Sequence, residues 1–154
     1  MIVVDSNILA YLYLPGDFTE QTERLLAQDP DWVAPSLWRS EFRNILAGYM
    51  RRGTLTFDQA YATQREAEAL LSEKEYDIDS FEVLDLVRKS DCSACDCEFV
   101  ALAMKLQTRL ATMDKKLLRN FPANTFSPDA APHWPISDKR GGISSKRITN
   151  SPPA

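Results

Sequence analysis

The sequence has little of what several classes of protein require. Its 154 residues include only 3 cysteines and 1 histidine. An odd, clustered set of cysteines does not fit a disulfide framework and favours a reducing compartment, so we expect a cytoplasmic protein. No apolar run approaches the roughly 20 residues of a membrane helix, and the first residues lack the basic leader of a signal peptide. A membrane protein is therefore not expected.

Glycine and basic residues are also scarce. The chain has 5 glycines, whereas 44% of its residues are hydrophobic and 10% are aromatic. This composition excludes collagen-like and disordered chains, and the length predicts a single packed domain. The net charge is −4 at pH 7. An acidic balance argues against a protein whose whole surface is built to hold nucleic acid.

The charge is unevenly distributed along the chain. Residues 129–154 carry four basic and two acidic side chains, a net charge of +2, which leaves −6 in residues 1–128. The same segment is rich in proline, serine and glycine and has no apolar periodicity. We therefore expect a domain over residues 1–128, followed by a basic, mobile tail over residues 129–154.

Segments of strand and helix character alternate along residues 1–128. Short apolar runs predict strands over residues 1–4, 32–35, 76–79 and 109–113. Apolar positions three and four residues apart predict helices over residues 8–14, 19–28, 37–50, 56–71, 80–89, 96–107 and 115–121. This alternation predicts an α/β fold, a mostly parallel sheet flanked by helices.

Four acidic residues follow or enter these apolar elements. Asp5 and Asp114 each follow a predicted strand, while Glu41 and Asp96 lie in or at the start of helices. Ligands of parallel sheets collect at the carboxyl ends of the strands, so Asp5 and Asp114 emerge together if the first and fourth strands are neighbours. The two helical acids can then complete a cluster of four carboxylates.

Such a cluster needs compensation, because neighbouring carboxylates raise one another's pKa. Oxygen ligands without histidine or cysteine suit Mg²⁺ or Mn²⁺, and water bound to such an ion is a nucleophile for phosphodiesters. Each acid also has a simpler interpretation. Asp5, Asp96 and Asp114 could merely cap helices, and Glu41 could lie on a solvated face.

The acids occur within segments that follow one another in a specific order. These are Ile2-Val3-Val4-Asp5-Ser6-Asn7, Ser40-Glu41-Phe42-Arg43-Asn44, Asp96-Cys97-Glu98-Phe99-Val100-Ala101-Leu102-Ala103 and Thr112-Met113-Asp114-Lys115-Lys116-Leu117. Together they resemble the PIN-domain ribonucleases of the VapC toxin type over about residues 1–125. The Asp-x-x-aromatic-x-Ala-Leu-Ala segment and the Thr-x-Asp segment are the most specific parts of the resemblance.

The resemblance implies a three-layer α/β/α sandwich that cleaves RNA with Mg²⁺ or Mn²⁺, as a homodimer neutralised by a cognate antitoxin. The catalytic metal ligands that it implies are Asp5, Glu41, Asp96 and Asp114. Asp5 and Asp96 are expected to contact the metal directly, whereas Asp114 is expected at a second metal or farther out. The residues expected to orient carboxylates or water by hydrogen bonds are Asn7, Asn44 and Thr112.

Two other functions stay open at this point. The chain could be a PIN nuclease of ordinary RNA maturation without an antitoxin, or a catalytically silent α/β module that only binds a partner. An RNA substrate also requires local basic surface, although such side chains usually line solvated helix faces. The candidates are Arg39, Arg43, Arg51, Arg52, Lys115, Lys116 and Arg119.

Several remaining residues are expected to be structural. Cys92 and Cys95 form a C-x-x-C pair, but no second pair exists and the single histidine, His133, lies in the predicted tail. We therefore expect these cysteines, with Cys97, to pack rather than to bind zinc. Trp32 and Trp38 are expected in the core or a dimer interface rather than in base stacking.

Overall fold

The structure, a computed structural model, describes residues 1–130. Its strands are β1 (Ile2–Val4), β2 (Trp32–Pro35), β3 (Glu75–Tyr76), β4 (Leu110–Ala111) and β5 (Thr125–Phe126). Its α-helices are α1 (Ser6–Tyr13), α2 (Thr19–Gln28), α3 (Trp38–Arg51), α4 (Phe57–Leu70), α5 (Ser80–Arg88), α6 (Ala94–Lys105) and α7 (Lys115–Asn120). A 3₁₀ turn over Pro128–Ala130 follows. The rest of the predicted tail, with His133, lies outside the described residues.

The five strands form one sheet in the order β3-β2-β1-β4-β5, and every neighbouring pair is parallel. Strand β1 lies at the centre, where Val3 is opposite Val33 on β2 and Leu110 on β4. The parallel sheet is confirmed, and the first and fourth strands are neighbours. Since parallel strands end at the same edge, the residues that follow β1 and β4 emerge together.

Helices cover this sheet and give the expected α/β/α architecture. Helix α6 packs on β1, β2 and β4, and α5 packs on α6. Helix α1 contacts α2, α3 and α4. Trp32 and Trp38 are completely buried, so they belong to the core as predicted. None of the helices within residues 1–130 combines the length and the hydrophobicity that crossing a membrane requires.

Some element boundaries differ from the prediction. Helix α6 begins at Ala94 because the Ser93 hydroxyl accepts a hydrogen bond from the backbone N–H of Asp96 at 3.1 Å. Asp96 therefore lies in the first turn of the helix rather than at its cap. Strand β3 is short, since only Glu75 and Tyr76 pair with β2. Strand β5 was not predicted from the sequence.

The clustered cysteines are free thiols. Cys92 and Cys97 are buried, whereas Cys95 is exposed in the first turn of α6. Packing is thus confirmed for two of the three side chains, because Cys92 and Cys97 both belong to the hydrophobic core.

Candidate active site

The ends of β1 and β4 are joined by a threonine at the carboxyl edge of the sheet. The backbone N–H of Asp5 donates to the carbonyl of Ala111 at 3.1 Å, which extends the strand pairing by one residue. The Thr112 hydroxyl donates to Asp5 Oδ2 at 2.8 Å, and it accepts from the backbone N–H of Asp114 at 3.1 Å. Thr112 thus connects the segments that carry two of the predicted acids.

Asp5 is an acid held inside the protein. Its exposed fraction is 7%, and burial raises its pKa to about 6. The hydrogen bond from Thr112 opposes this increase, while the negative charges of Glu41 and Asp96 add to it. The Asp5 side chain makes no capping hydrogen bond to α1. The simpler interpretation of Asp5 as a helix cap is therefore wrong.

Glu41 lies in the first turn of α3 and is half-buried. Its Oε1 accepts a hydrogen bond from the hydroxyl of Ser6 at 2.9 Å. Burial raises the pKa of Glu41, the Ser6 hydrogen bond lowers it, and the charges of Asp96 and Glu98 raise it further. Glu41 consequently faces other acids and does not lie on a solvated helix face.

Asp96 links Asp114 to the other two acids, Asp5 and Glu41. It is half-buried, and burial raises its pKa against the effect of a hydrogen bond with Ser93. The charge of Asp114 raises the pKa of Asp96 further, whereas the charge of Lys116 lowers it. Each of the four acids thus either shifts the pKa of another of them or has its own pKa shifted by another, so the four lie in one region of the protein.

Asp114 differs from the other three acids because it caps a helix. Its Oδ1 accepts hydrogen bonds from the backbone N–H groups of Lys116 at 2.8 Å and Leu117 at 3.1 Å. These are orphan donors of the first turn of α7, so the contact stabilises that helix. The helix-cap interpretation of Asp114 is correct, and its role toward a metal stays a prediction.

The side chains that orient the carboxylates are only partly those expected. Thr112 holds Asp5, but Asn7 and Asn44 are exposed. Among the residues that the structure describes, neither asparagine hydrogen-bonds one of the four carboxylates. Ser6 and Glu98 are not among the site residues that the sequence predicts. Ser6 stands in the Asp-Ser-Asn segment, which was a usable signal, whereas Glu98 lies two residues after Asp96 and shares no helical periodicity with it.

The donor set fits a hard divalent cation. It consists of carboxylate oxygens, and within residues 1–130 no Lys or Arg forms an ion pair with any of the four acids. Oxygen ligands and uncompensated negative charge are what Mg²⁺ and Mn²⁺ require. In the same part of the chain, no three His, Cys, Asp or Glu side chains converge closely enough to hold an ion. The four acids therefore match Mg²⁺ or Mn²⁺ in ligand type, whereas the structure does not gather three of them around one point.

Among the basic residues considered for RNA binding, Arg39 forms ion pairs with acids outside the candidate site. Its Nη2 donates to Glu75 Oε2 at 2.9 Å, and its Nη1 lies 3.4 Å from Glu68 Oε1. These contacts tie α3 to β3 and α4. Lys116 is the candidate that acts on the acids, since its charge lowers the pKa of Asp96.

The relatives of the chain carry the same fold over most of its length. The family model of the PIN domain matches residues 2–122. The chain is 34% identical over 127 residues to Ribonuclease VapC3 of Pyrobaculum aerophilum, an alignment that covers 79% of this chain and 95% of that protein. The range matched by the family model contains Asp5, Glu41, Asp96 and Asp114.

Solved structures agree with this family at the level of the fold. FitAcB from Neisseria gonorrhoeae has a TM-score of 0.64 at 17% identity and covers 84% of this chain and 99% of its own. A toxin–antitoxin complex from Klebsiella pneumoniae has a TM-score of 0.58 at 18% identity, covering 83% and 98%. The resemblance found in the sequence is thus confirmed, and the chain belongs to the PIN-domain family.

Proposed function

We propose that the chain is a Mg²⁺- or Mn²⁺-dependent endoribonuclease that hydrolyses RNA phosphodiester bonds as the toxin of a toxin–antitoxin pair. One observation carries the proposal. Four acids, which follow β1 or lie on α3, on α6 and at the β4–α7 junction, influence one another's ionisation in a PIN-domain protein. The name of its 34% identical relative, Ribonuclease VapC3, supports RNA as the substrate.

Asp5 and Asp96 are the proposed direct metal ligands, Glu41 binds the metal or its water, and Asp114 serves a second metal or a more distant position. A divalent cation held by these oxygens supplies Lewis-acid polarisation of the phosphodiester and a water with a lowered pKa. The chain itself contributes orientation. Thr112 fixes the carboxylate plane of Asp5, and the mutual repulsion of the acids favours any arrangement that places a cation between them.

The pKa of Asp5, raised to about 6, matters for this function. At neutral pH the carboxylate is ionised and available as a ligand, although no Lys or Arg of residues 1–130 pairs with it. Metal binding requires the deprotonated form and therefore competes with the proton below about pH 6. We expect cleavage to decline as the pH falls through this value.

An antitoxin partner has support from a second region of the molecule. A groove of about 370 Å³ lies between α3 and α4, and its lining includes Met50, Phe57 and Tyr61. Phe57 and Tyr61 are 68% and 59% exposed, and their rings are stacked with centroids 6.2 Å apart. Exposed apolar patches of this kind mark protein-binding surfaces. We propose an antitoxin as its occupant, because a solved structure with the same fold is a toxin–antitoxin complex.

A homodimer and a cytoplasmic location complete the proposal. Light scattering of the isolated chain tests the first, and a monomer at micromolar concentration would contradict it. The free thiols of Cys92, Cys95 and Cys97 fit a reducing compartment.

Incubation of the antitoxin-free protein with total cellular RNA tests the activity. We expect discrete fragments with Mg²⁺ or Mn²⁺ and none with excess chelator. Asp96→Asn should abolish them, whereas Asp58→Asn, which neutralises an exposed acid in the first turn of α4, should not. Folded wild-type protein that binds Mn²⁺ and cleaves no RNA would contradict the proposal and favour a silent binding module.

A further inference from the structure

Ser6 lies between two of the four acids. It follows Asp5 directly in the chain, is the first residue of α1 and is only 3% exposed. Its hydroxyl donates to Glu41 Oε1 at 2.9 Å. One buried residue therefore links the acid that follows β1 to the acid on α3.

Glu41 depends on a donor to remain beside the other acids. Burial and the charges of Asp96 and Glu98 all disfavour its ionised form. A glutamate side chain has several rotatable bonds and can turn toward water when nothing holds it. No Lys or Arg within residues 1–130 pairs with Glu41. The Ser6 hydroxyl provides the opposing interaction.

Ser6 is well suited to hold a carboxylate in place. Its side chain has one rotatable bond to the oxygen, and its backbone is fixed by the start of α1 directly after the central strand. Helix α1 also packs against α3, which carries Glu41. The position of the Ser6 oxygen relative to Glu41 is thus set by the packing of two helices.

We propose that Ser6 is a positioning residue, whose hydroxyl holds Glu41 beside Asp5 and thereby sets the affinity of the four acids for a divalent cation. Ser6 acts through Glu41 and contacts neither the cation nor the RNA. The proposal rests on the proposed function, because it takes this acidic group to be the metal site of the nuclease. Residues that orient metal ligands contribute about 10- to 100-fold to metal affinity or activity.

Calorimetric titration of Mn²⁺ into the metal-free chain tests this role without depending on cleavage. Ser6→Ala should weaken Mn²⁺ binding about 10-fold, and Ser6→Thr, which keeps the hydroxyl, should weaken it less. Thr22→Val is the matched control, because it removes a buried hydroxyl whose partner is the Phe18 carbonyl on the α2 side of the molecule. The control should bind Mn²⁺ like the wild type.

RNA cleavage supplies a second readout. The Mn²⁺ concentration for half-maximal cleavage should rise in Ser6→Ala, while saturating Mn²⁺ restores most of the maximal rate. If Ser6→Ala loses secondary structure by circular dichroism, Ser6→Cys replaces it, since a thiol of similar shape donates only weakly. Ser6→Cys should then give a smaller loss in the same direction.

A double-mutant cycle separates positioning from a merely structural effect. In a Glu41→Gln background, Ser6→Ala should change the Mn²⁺ affinity less than twofold, because the group that Ser6 holds has already lost its charge. Equal losses in both backgrounds, or wild-type Mn²⁺ affinity in Ser6→Ala, would overturn the role of Ser6 alone. A wild type that neither binds Mn²⁺ nor cleaves RNA would overturn the proposed function and this proposal together.

Discussion

The β1–α1 and β4–α7 junctions have the same local design and different chemistry. At each junction a strand is followed by an aspartate in extended conformation, with φ −69° and ψ 151° at Asp5 and φ −70° and ψ 113° at Asp114. Asp114 uses Oδ1 to cap its helix, whereas Asp5 leaves its helix uncapped and bonds Thr112 instead. The same motif thus yields a helix cap in one place and a buried acid in the other.

The position of each strand in the sheet explains the difference. Strand β1 is central and α6 packs against it, and Asp5 at its end is buried. Strand β4 lies next to the edge strand β5, and Asp114 is only half-buried. A buried carboxylate without a cationic partner is costly, so Asp5 is retained at the expense of stability, as functional groups often are.

The largest effect is expected on RNA cleavage when Asp5 and Asp114 are each replaced by asparagine. Asp5→Asn should reduce metal-dependent cleavage by about 100-fold or more, because the loss of a direct ligand exceeds that of an outer group. Asp114→Asn should reduce it by about 10-fold or less, since asparagine retains the helix cap. Initial rates at saturating Mg²⁺ give both numbers. Equal reductions of the cleavage rate in the two variants would contradict the proposed difference between a direct ligand and a more distant acid.

The pH dependence of stability should also separate the junctions. The pKa of Asp5 is 3.8 as a reference value and about 6 in the folded chain, so between these values the folded state holds a proton that the unfolded state has released. The free energy of unfolding of metal-free protein therefore falls as pH rises through this window, by about 3 kcal/mol at most. Urea unfolding at pH 4.5 and pH 7, in chelator, measures it.

The matched variants make this test specific. Asp5→Asn should remove this contribution and weaken the dependence, of which the part due to the raised pKa values of Glu41 and Asp96 remains. Asp114→Asn should leave the Asp5 contribution in place. An Asp5→Asn protein whose unfolding free energy keeps the wild-type dependence on pH would show that Asp5 is not the titrating group.

Removal of the Thr112 hydroxyl, which joins the two junctions, should lower the free energy of unfolding by a smaller amount. Thr112→Val takes a donor from Asp5 and an acceptor from the Asp114 N–H, at a completely buried position. We expect a loss of about 1–3 kcal/mol in unfolding free energy, because buried polar groups are left unpaired. Thr112→Ser should retain most of the stability. Urea titrations measure both variants, and equal unfolding free energies for Thr112→Val and Thr112→Ser would contradict this expectation.

The smallest expected effect concerns the cap itself. Asp114→Ala should lower stability by about 1 kcal/mol, whereas Asp114→Asn should stay within a few tenths of the wild type. Asp5→Ala should show no such capping loss, since Asp5 makes no cap hydrogen bond. Thermal unfolding in chelator compares the stabilities of the three variants. An Asp114→Ala protein as stable as the wild type would show that the Asp114 cap does not distinguish the two junctions.

Much of the fold could be predicted because its elements have strong local patterns. The strand predicted from the apolar run at residues 1–4 and the helix predicted over residues 56–71 appear as expected, and the helix begins with a capping box of Thr56 and Gln59. Strand β5 was missed because Thr125–Phe126 is too short to show alternation, and only its pairing with β4 makes it a strand. The start of α6 shifted because the hydroxyl of Ser93 provides the cap.

The acids could be selected from the sequence, but their different environments could not. Asp5 and Asp114 both follow apolar strands, and only the order of the strands decides which one is buried. The contact of Ser6 with Glu41 joins residues 35 positions apart on two helices, so it depends on how α1 packs against α3. Side-chain contacts of this kind leave no periodic signal in the sequence.

Mn²⁺ titration of the metal-free wild type and of Asp5→Asn, at pH 6 and pH 8 in buffers of different ionisation enthalpy, decides whether the four acids form a metal site. If the acids form the metal site, the wild type binds Mn²⁺ and releases about half a proton from Asp5 at pH 6 and almost none at pH 8. Asp5→Asn should bind far more weakly and lose that proton release. Equal Mn²⁺ affinity and equal proton release in the two proteins would contradict the account.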